Sequence, residues 1–166
     1  MQMHIIALAP VFKLNVIASM SEKSPTPSNA VTGAWIHIMR ARDRLLAAIE
    51  SDFKAAKMPP LSWYDVLWEL ARSEDKRLRP YEIEERTLLA QYNLSRLVDR
   101  LEREGLVRRE TFGEDARGRW VVITDAGLQL RERMWTVYAK SIEANIGCRL
   151  SESEANSISA LLARFL

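Results

Sequence analysis

The residues with the most chemistry to offer lie between positions 91 and 119. Gln91, Tyr92, Asn93, Ser95, Arg96, Arg100 and Arg103 recur along one short stretch. Arg117 and Arg119 follow in a loop reading Gly113-Glu114-Asp115-Ala116-Arg117-Gly118-Arg119. Amide, hydroxyl and guanidinium groups at helical spacing match the donor and acceptor edges of base pairs, and a guanidinium paired with guanine gives about 1–3 kcal/mol of discrimination. Arginines on a loop tip suit phosphates or a minor groove. No nucleophile–base pair, glycine-rich phosphate loop or metal cluster accompanies them, so the sequence points away from an enzyme and implies no cofactor. His4 and His37 are the only histidines, and neither has a partner at ligand spacing for a metal.

Elements must hold these side chains in place. Leu94, Leu97, Val98 and Leu101 fall at i, i+3, i+4 and i+7, which predicts a helix over Gln91–Glu104 with one apolar face. The opposite face collects Tyr92, Ser95, Arg96, Asp99 and Arg103, and Gly105 supplies the stop. Leu106–Arg109 and Trp120–Thr124 are rich in Val, Ile and Trp and predict two short strands around the loop. Upstream, Pro80 suits the first turn of a short helix centred on Ile83, and Thr87–Leu89 makes a turn. Helix, turn, helix and hairpin thus follow in order.

Longer helices flank this centre. Asn29 is a candidate cap for a helix carrying Trp35, Ile38, Leu45, Ile49 and Phe53, which ends near Met58-Pro59-Pro60. Ser62 is a candidate cap for the next, with Trp63, Val66, Leu67 and Leu70 on its apolar side, and Ser73–Arg77 is a charged break. Asp125 begins another long helix with Leu130, Met134, Val137, Tyr138 and Ile142. Ser151-Glu152-Ser153-Glu154 is a capping-box pattern opening a last helix with Ile158, Leu161, Leu162 and Phe165. So much amphipathic surface exceeds what a small centre can cover, and pairing with a second copy is the simplest remedy.

The predicted fold class is mainly α with a small β-hairpin wing: a winged helix-turn-helix flanked by long dimerisation helices. Residues 1–28 form an arm and linker, 29–60 and 125–166 the helical dimerisation region, and 61–124 the winged region.

Charge totals say less than charge placement. The chain carries only +2, and Pro60–Gly127 holds twelve Lys and Arg against fourteen Asp and Glu, a net of −2. Acids gather at Glu82, Glu84 and Glu85, and bases at Arg96, Arg100, Arg103, Arg108 and Arg109. A single cysteine, Cys148, allows no internal disulfide and fits a reducing cytoplasm. The first twenty residues are apolar but broken by Pro10, Lys13 and Asn15, too interrupted for a membrane span. Translation from an upstream start with Met20 as a second start, an arm packed on a partner subunit, and a cleaved targeting segment are the readings left open there.

Residues 93–109 (Asn93-Leu94-Ser95-Arg96-Leu97-Val98-Asp99-Arg100-Leu101-Glu102-Arg103-Glu104-Gly105-Leu106-Val107-Arg108-Arg109) contain a Leu-Glu-x-x-Gly-Leu-Val-x-Arg phrase. Asp115-Ala116-Arg117 is an Asp-x-Arg wing motif, and Ile123-Thr124-Asp125-Ala126-Gly127 follows it. Together these resemble the multiple-antibiotic-resistance regulator (MarR) family of bacterial transcription factors, over about residues 31–166. The resemblance implies a homodimer that binds double-stranded DNA. Tyr92, Asn93, Ser95 and Arg96 would then read bases, and Gln91, Arg100 and Arg103 would meet phosphate. Arg117, then Arg119, would enter the minor groove, with Asp115 shaping the wing. It also implies a small aromatic effector in a pocket drawn from Trp35, His37, Trp63, Tyr64, Trp68 and Met134, although aromatics at helical spacing also serve as core. Cys148 does not sit where oxidant-sensing relatives carry their cysteine. The chain departs from the family pattern at Ala90, at Thr87-Leu88-Leu89 and at Ala116.

Two functions fit these observations. One is a MarR-type DNA-binding regulator, by default a repressor of a pseudo-palindromic operator. The other is a winged-helix protein-interaction module that does not read DNA, favoured by the net −2 and the acidic run at 82–85.

Overall fold

In the computed structural model, residues 26–87, 91–111 and 119–165 are described, with the backbone alone at 91 and 92. The expectations for the first twenty residues, for Ala90 and for Asp115, Ala116 and Arg117 lie outside them. The described order is α1 (Asn29–Ala55), α2 (Leu61–Arg72), β1 (Arg77–Leu78), α3 (Pro80–Thr87), α4 (Gln91–Arg103), β2 (Val107–Thr111), β3 (Arg119–Ile123), α5 (Asp125–Asn145) and α6 (Glu152–Leu162). This is the helix-rich arrangement with a small antiparallel sheet that the sequence predicts. Two compact units divide the chain, 1–38 and 39–166.

In the first unit the cap is Ser28 rather than Asn29. The Ser28 hydroxyl accepts the Val31 N–H at 3.3 Å, and Asn29 is already helical.

In the second unit, α1 closes when the Met58 N–H returns to the Phe53 carbonyl at 2.8 Å, with Lys57 in the left-handed region at φ 55°. Ser62 does not cap α2. The helix starts at Leu61, whose N–H donates to the Glu50 carboxylate of α1 at 3.0 Å. A carboxylate from the preceding helix therefore takes the cap's role at the positive end of α2.

The core gathers where α2 to α5 meet the sheet. Val66, Leu67, Leu70, Ile83, Leu101, Val121 and Met134 are fully buried there. The sheet order is β1-β3-β2, antiparallel throughout. The charged break expected over Ser73–Arg77 runs into β1 at Arg77, because two residues are too few to show a strand's alternation. Its Arg77 and Leu78 pair with Val122 and Val121.

The sequence motifs are mainly folding devices. Gly105 has φ +71°, a left-handed position that favours glycine, and it lets the Leu106 N–H reach the Leu101 carbonyl at 2.9 Å. Thr124 caps α5 by accepting the Gly127 N–H at 3.1 Å and donates to the Gly105 carbonyl at 2.7 Å. Gly127 is buried, and a Cβ there would lie 2.2 Å from the Leu106 carbonyl oxygen. Only glycine lets α5 start so close to the strand. α6 opens with the full Ser151–Glu154 capping box.

Candidate nucleic-acid interface

α4 presents what its periodicity predicts. Leu94, Val98 and Leu101 are buried, whereas Asn93, Ser95, Arg96, Asp99, Arg100 and Arg103 are exposed. The exposed residues form two stripes. Asn93, Arg96 and Arg100 line a cleft of about 300 Å³ together with Pro60, Ser62, Trp63 and Leu97. Ser95, Asp99 and Arg103 lie outside it. Two guanidiniums and an amide therefore face one cleft beside the start of α2, with no acid among its described lining residues. Gln91 and Tyr92 belong to the first turn of α4.

The hairpin is tied to α4 by Arg109 of β2. Its guanidinium donates to Asp99 at 2.6 Å and to the Glu102 carboxylate, and its backbone N–H donates to Glu102 at 3.2 Å. Burial pulls this guanidinium's pKa down, but the hydrogen bonds and charges of Asp99 and Glu102 outweigh that and raise it. The Glu and Arg of the Leu-Glu-x-x-Gly-Leu-Val-x-Arg phrase are thus partners seven residues apart. They fix the helix against the strand, and the same Arg109 guanidinium pairs with Asp99, a carboxylate on the polar side of α4. Arg108 is likewise engaged, with Glu110 at 2.6 Å. Neither of these two arginines adds the free positive charge that the sequence count suggests.

Arg119 begins β3, exposed and opposite Thr111 in register. Side chains alternate across a strand, and Val107, Arg109, Thr111, Val121 and Ile123 are the positions of β2 and β3 that share its side. Arg119 therefore projects on the side of the sheet that carries the Arg109 tie to α4.

Of the six aromatic-pocket residues, Trp63, Tyr64, Trp68 and Met134 belong to the second unit, where they meet different neighbours. Trp63 lies in the cleft beside α4. Tyr64 and Trp68 stack at 6.0 Å and join Trp135 and Tyr138 of α5, with Tyr64–Trp135 at 6.2 Å and Tyr64–Tyr138 edge-on at 5.2 Å. Arg131 lies 5.7 Å over Trp68. Met134 is fully buried core. Trp35 and His37 are exposed residues of the first unit. Trp135 and Tyr138 were not among the expected pocket residues, although their positions on one helix face could have suggested them. Burial is the largest cause of raised hydroxyl pKa values at both Tyr64 and Tyr138.

Cys148 is exposed, and its thiol donates to the Ala144 carbonyl. Among the described residues, no group of three or more His, Cys, Asp or Glu could hold a metal ion, and no helix is long and apolar enough to cross a membrane.

Comparison with known proteins gives consistent matches. A family model described as the MarR family matches residues 58–118. The HTH-type transcriptional regulator PapX of Escherichia coli is 30% identical over 107 residues, 63% of this chain. The match spans 65% of the length of PapX. Among solved structures, the MarR family transcriptional regulator Sco3205 from Streptomyces coelicolor, in complex with DNA, aligns with a TM-score of 0.77 at 25% identity, covering 86% of this chain and 90% of that one. Sco5413, a MarR family transcriptional regulator from the same organism, aligns with a TM-score of 0.69 at 26% identity, covering 83% and 94%.

Proposed function

We propose that the chain is a winged-helix transcriptional regulator of the MarR type that acts as a homodimer gripping a pseudo-palindromic duplex, a reading supported by the family match over residues 58–118 and the likeness to Sco3205. One observation carries the reading. The exposed polar stripes of α4 and the Arg119 side of the hairpin are locked together by Arg109, as a protein engaging adjacent grooves requires. Asn93, Ser95 and Arg96, with Tyr92, read base edges. Gln91, Arg100 and Arg103 hold phosphates, and Arg119 and Arg117 reach the minor groove, with Asp115 shaping the wing.

Two-fold symmetry sets inverted half-sites roughly one helical turn apart. The exposed apolar residues of α6 supply the dimer contact, and repression follows by occupying the operator in the cytoplasm. A small aromatic effector bound against Tyr64 and Trp68, near Arg131, would relieve it by favouring a dimer spacing that no longer fits both grooves.

The test is fluorescence anisotropy on the DNA just upstream of the protein's own gene, at two salt concentrations, with wild type and Arg96→Ala. Wild type binds and weakens steeply with salt, because phosphate contacts release counterions. Arg96→Ala loses roughly ten- to a hundredfold, the worth of one bidentate base contact. Absence of binding there and in a random-duplex selection would favour an interaction module that uses the acidic run Glu82, Glu84 and Glu85.

A further inference from the structure

The outer side of the sheet carries a second tie, independent of Arg109. Trp120 of β3 sits beside β1, whose Arg77 and Leu78 pair with Val122 and Val121. Continuing that register sets Arg79 directly across from Trp120. Both guanidiniums lie over the indole, Arg77 at 4.9 Å and Arg79 at 4.8 Å from the ring centroid. Two cations over one ring draw on its quadrupole, which an aliphatic side chain of similar size lacks.

Both arginines are themselves anchored. The Arg77 guanidinium pairs with Asp75 at 2.8 Å, and the backbone N–H of Arg79 donates to the Glu82 carboxylate in the first turn of α3 at 2.6 Å. Among the described residues the buried indole nitrogen and the Arg77 Nε have no hydrogen-bond partner, and the contacts seen on the indole ring are the two guanidiniums. The chain of contacts therefore runs from α3 through Arg79 to Trp120, the residue next to Arg119.

We propose that Trp120, held by Arg77 and Arg79, is a positioning residue that sets the angle at which β3 delivers Arg119 to the duplex. This rests on the DNA-binding reading above. Arg109 fixes β2 to α4 from the inner side, and Trp120 fixes β3 to β1 and α3 from the outer side. A hairpin held on one strand alone could still swing about it, whereas one held on both strands cannot. The effect of Trp120 on DNA is exerted through Arg119 and requires no contact of its own.

A double-mutant cycle in the full-length protein tests this, on the tightest duplex that wild type selects from a random pool. The variants are Trp120→Leu, Trp120→Phe, Arg79→Gln, Arg119→Ala and the Trp120→Leu/Arg119→Ala pair, each with a thermal melt. Arg119→Ala weakens binding roughly five- to tenfold as one groove contact is lost. Trp120→Leu costs a similar factor, and the pair costs no more than either alone, the coupling expected of residues acting as one unit. Trp120→Phe keeps a ring and restores affinity to within about twofold. Arg79→Gln keeps the indole and gives a smaller loss, so the cycle can still be read through Arg79 if Trp120→Leu fails to fold. Losses that multiply, or a Phe variant as weak as Leu, would overturn the proposal while leaving DNA binding intact. A wild type that selects no duplex overturns the DNA reading and this proposal together.

Discussion

Leu101 of α4 and Phe165 just past α6 are both large apolar residues in amphipathic segments, yet Leu101 is 0% exposed and Phe165 is 78% exposed. The same contrast separates the two regions they represent. The winged region covers its own apolar residues: Leu67, Leu70, Ile83, Leu101 and Val121 all lose essentially all contact with water. In α6 no residue is buried, although Ile158, Leu161 and Leu162 recur on it. The capping box gives this helix a firm start but no place to put its apolar side. The winged region thus holds its fold from contacts within one chain, whereas α6 keeps its apolar residues exposed among the described residues.

The sharpest break of that comparison is Leu101→Ala. Removing a fully buried leucine costs about 2–5 kcal/mol, transfer and cavity together. The loss should appear in urea unfolding of the winged region at every protein concentration. A loss that vanished at high concentration would mean that this region, too, depends on a partner.

The converse change is Leu161→Ala with Phe165→Ala. Both residues are exposed, so the fold of the single chain should hardly notice. Sedimentation should instead show the proposed dimer dissociating at higher concentration, by about 1–3 kcal/mol for two residues of a proposed interface. An unchanged dissociation constant would take α6 out of the interface.

The same contrast explains what the sequence could reveal. Period and punctuation are local, so α4, its Gly105 stop, the two hairpin strands and the Ser151 capping box were all legible. The strand boundaries shifted by one or two residues, to Val107–Thr111 and Arg119–Ile123. β1 was not legible, because its two residues become a strand only through Val121 and Val122, more than forty positions away. Nor was the use of Glu50 as the start of α2, since an acid eleven residues upstream carries no cap signature. The Leu-Glu-x-x-Gly-Leu-Val-x-Arg phrase was visible, but its meaning changed. Its Glu and Arg bond to each other, and its Leu, Gly, Leu and Val build the turn and core. What carries the family resemblance is largely what ties β2 to α4. For the candidate site, the exposed face of α4 was readable from period alone. Its division into a cleft stripe and an open stripe needed the position of α2. The aromatic set could not be resolved from spacing, because Trp63 and Tyr64 are adjacent yet face different neighbours.

The smallest expected effect lies where the winged region meets the flanking helices α1 and α5. Asp65 of α2 sits among acids, with Glu50 of α1 and Glu69 one turn further along α2, and its charge is felt at Tyr138 of α5. Burial first, then Glu50 and Glu69, push its carboxyl up to about 6. The unfolded chain releases this proton near the ordinary carboxylate value of about 3.9. Between those two values the folded state binds more protons than the unfolded state, so stability falls as pH rises from about 4 to about 6 and is flat above. Asp65→Asn removes the titration. Its stability curve should lack that decline, and at pH 7 it should exceed wild type by on the order of 1 kcal/mol once solvent screening is allowed for. At pH 4, where the wild-type side chain is already largely neutral in the fold, the two should converge. Parallel curves across this range would mean that Asp65 is better solvated than its position between α1, α2 and α5 implies. The seam between the self-sufficient region and the flanking helices would then be looser than the core on either side of it.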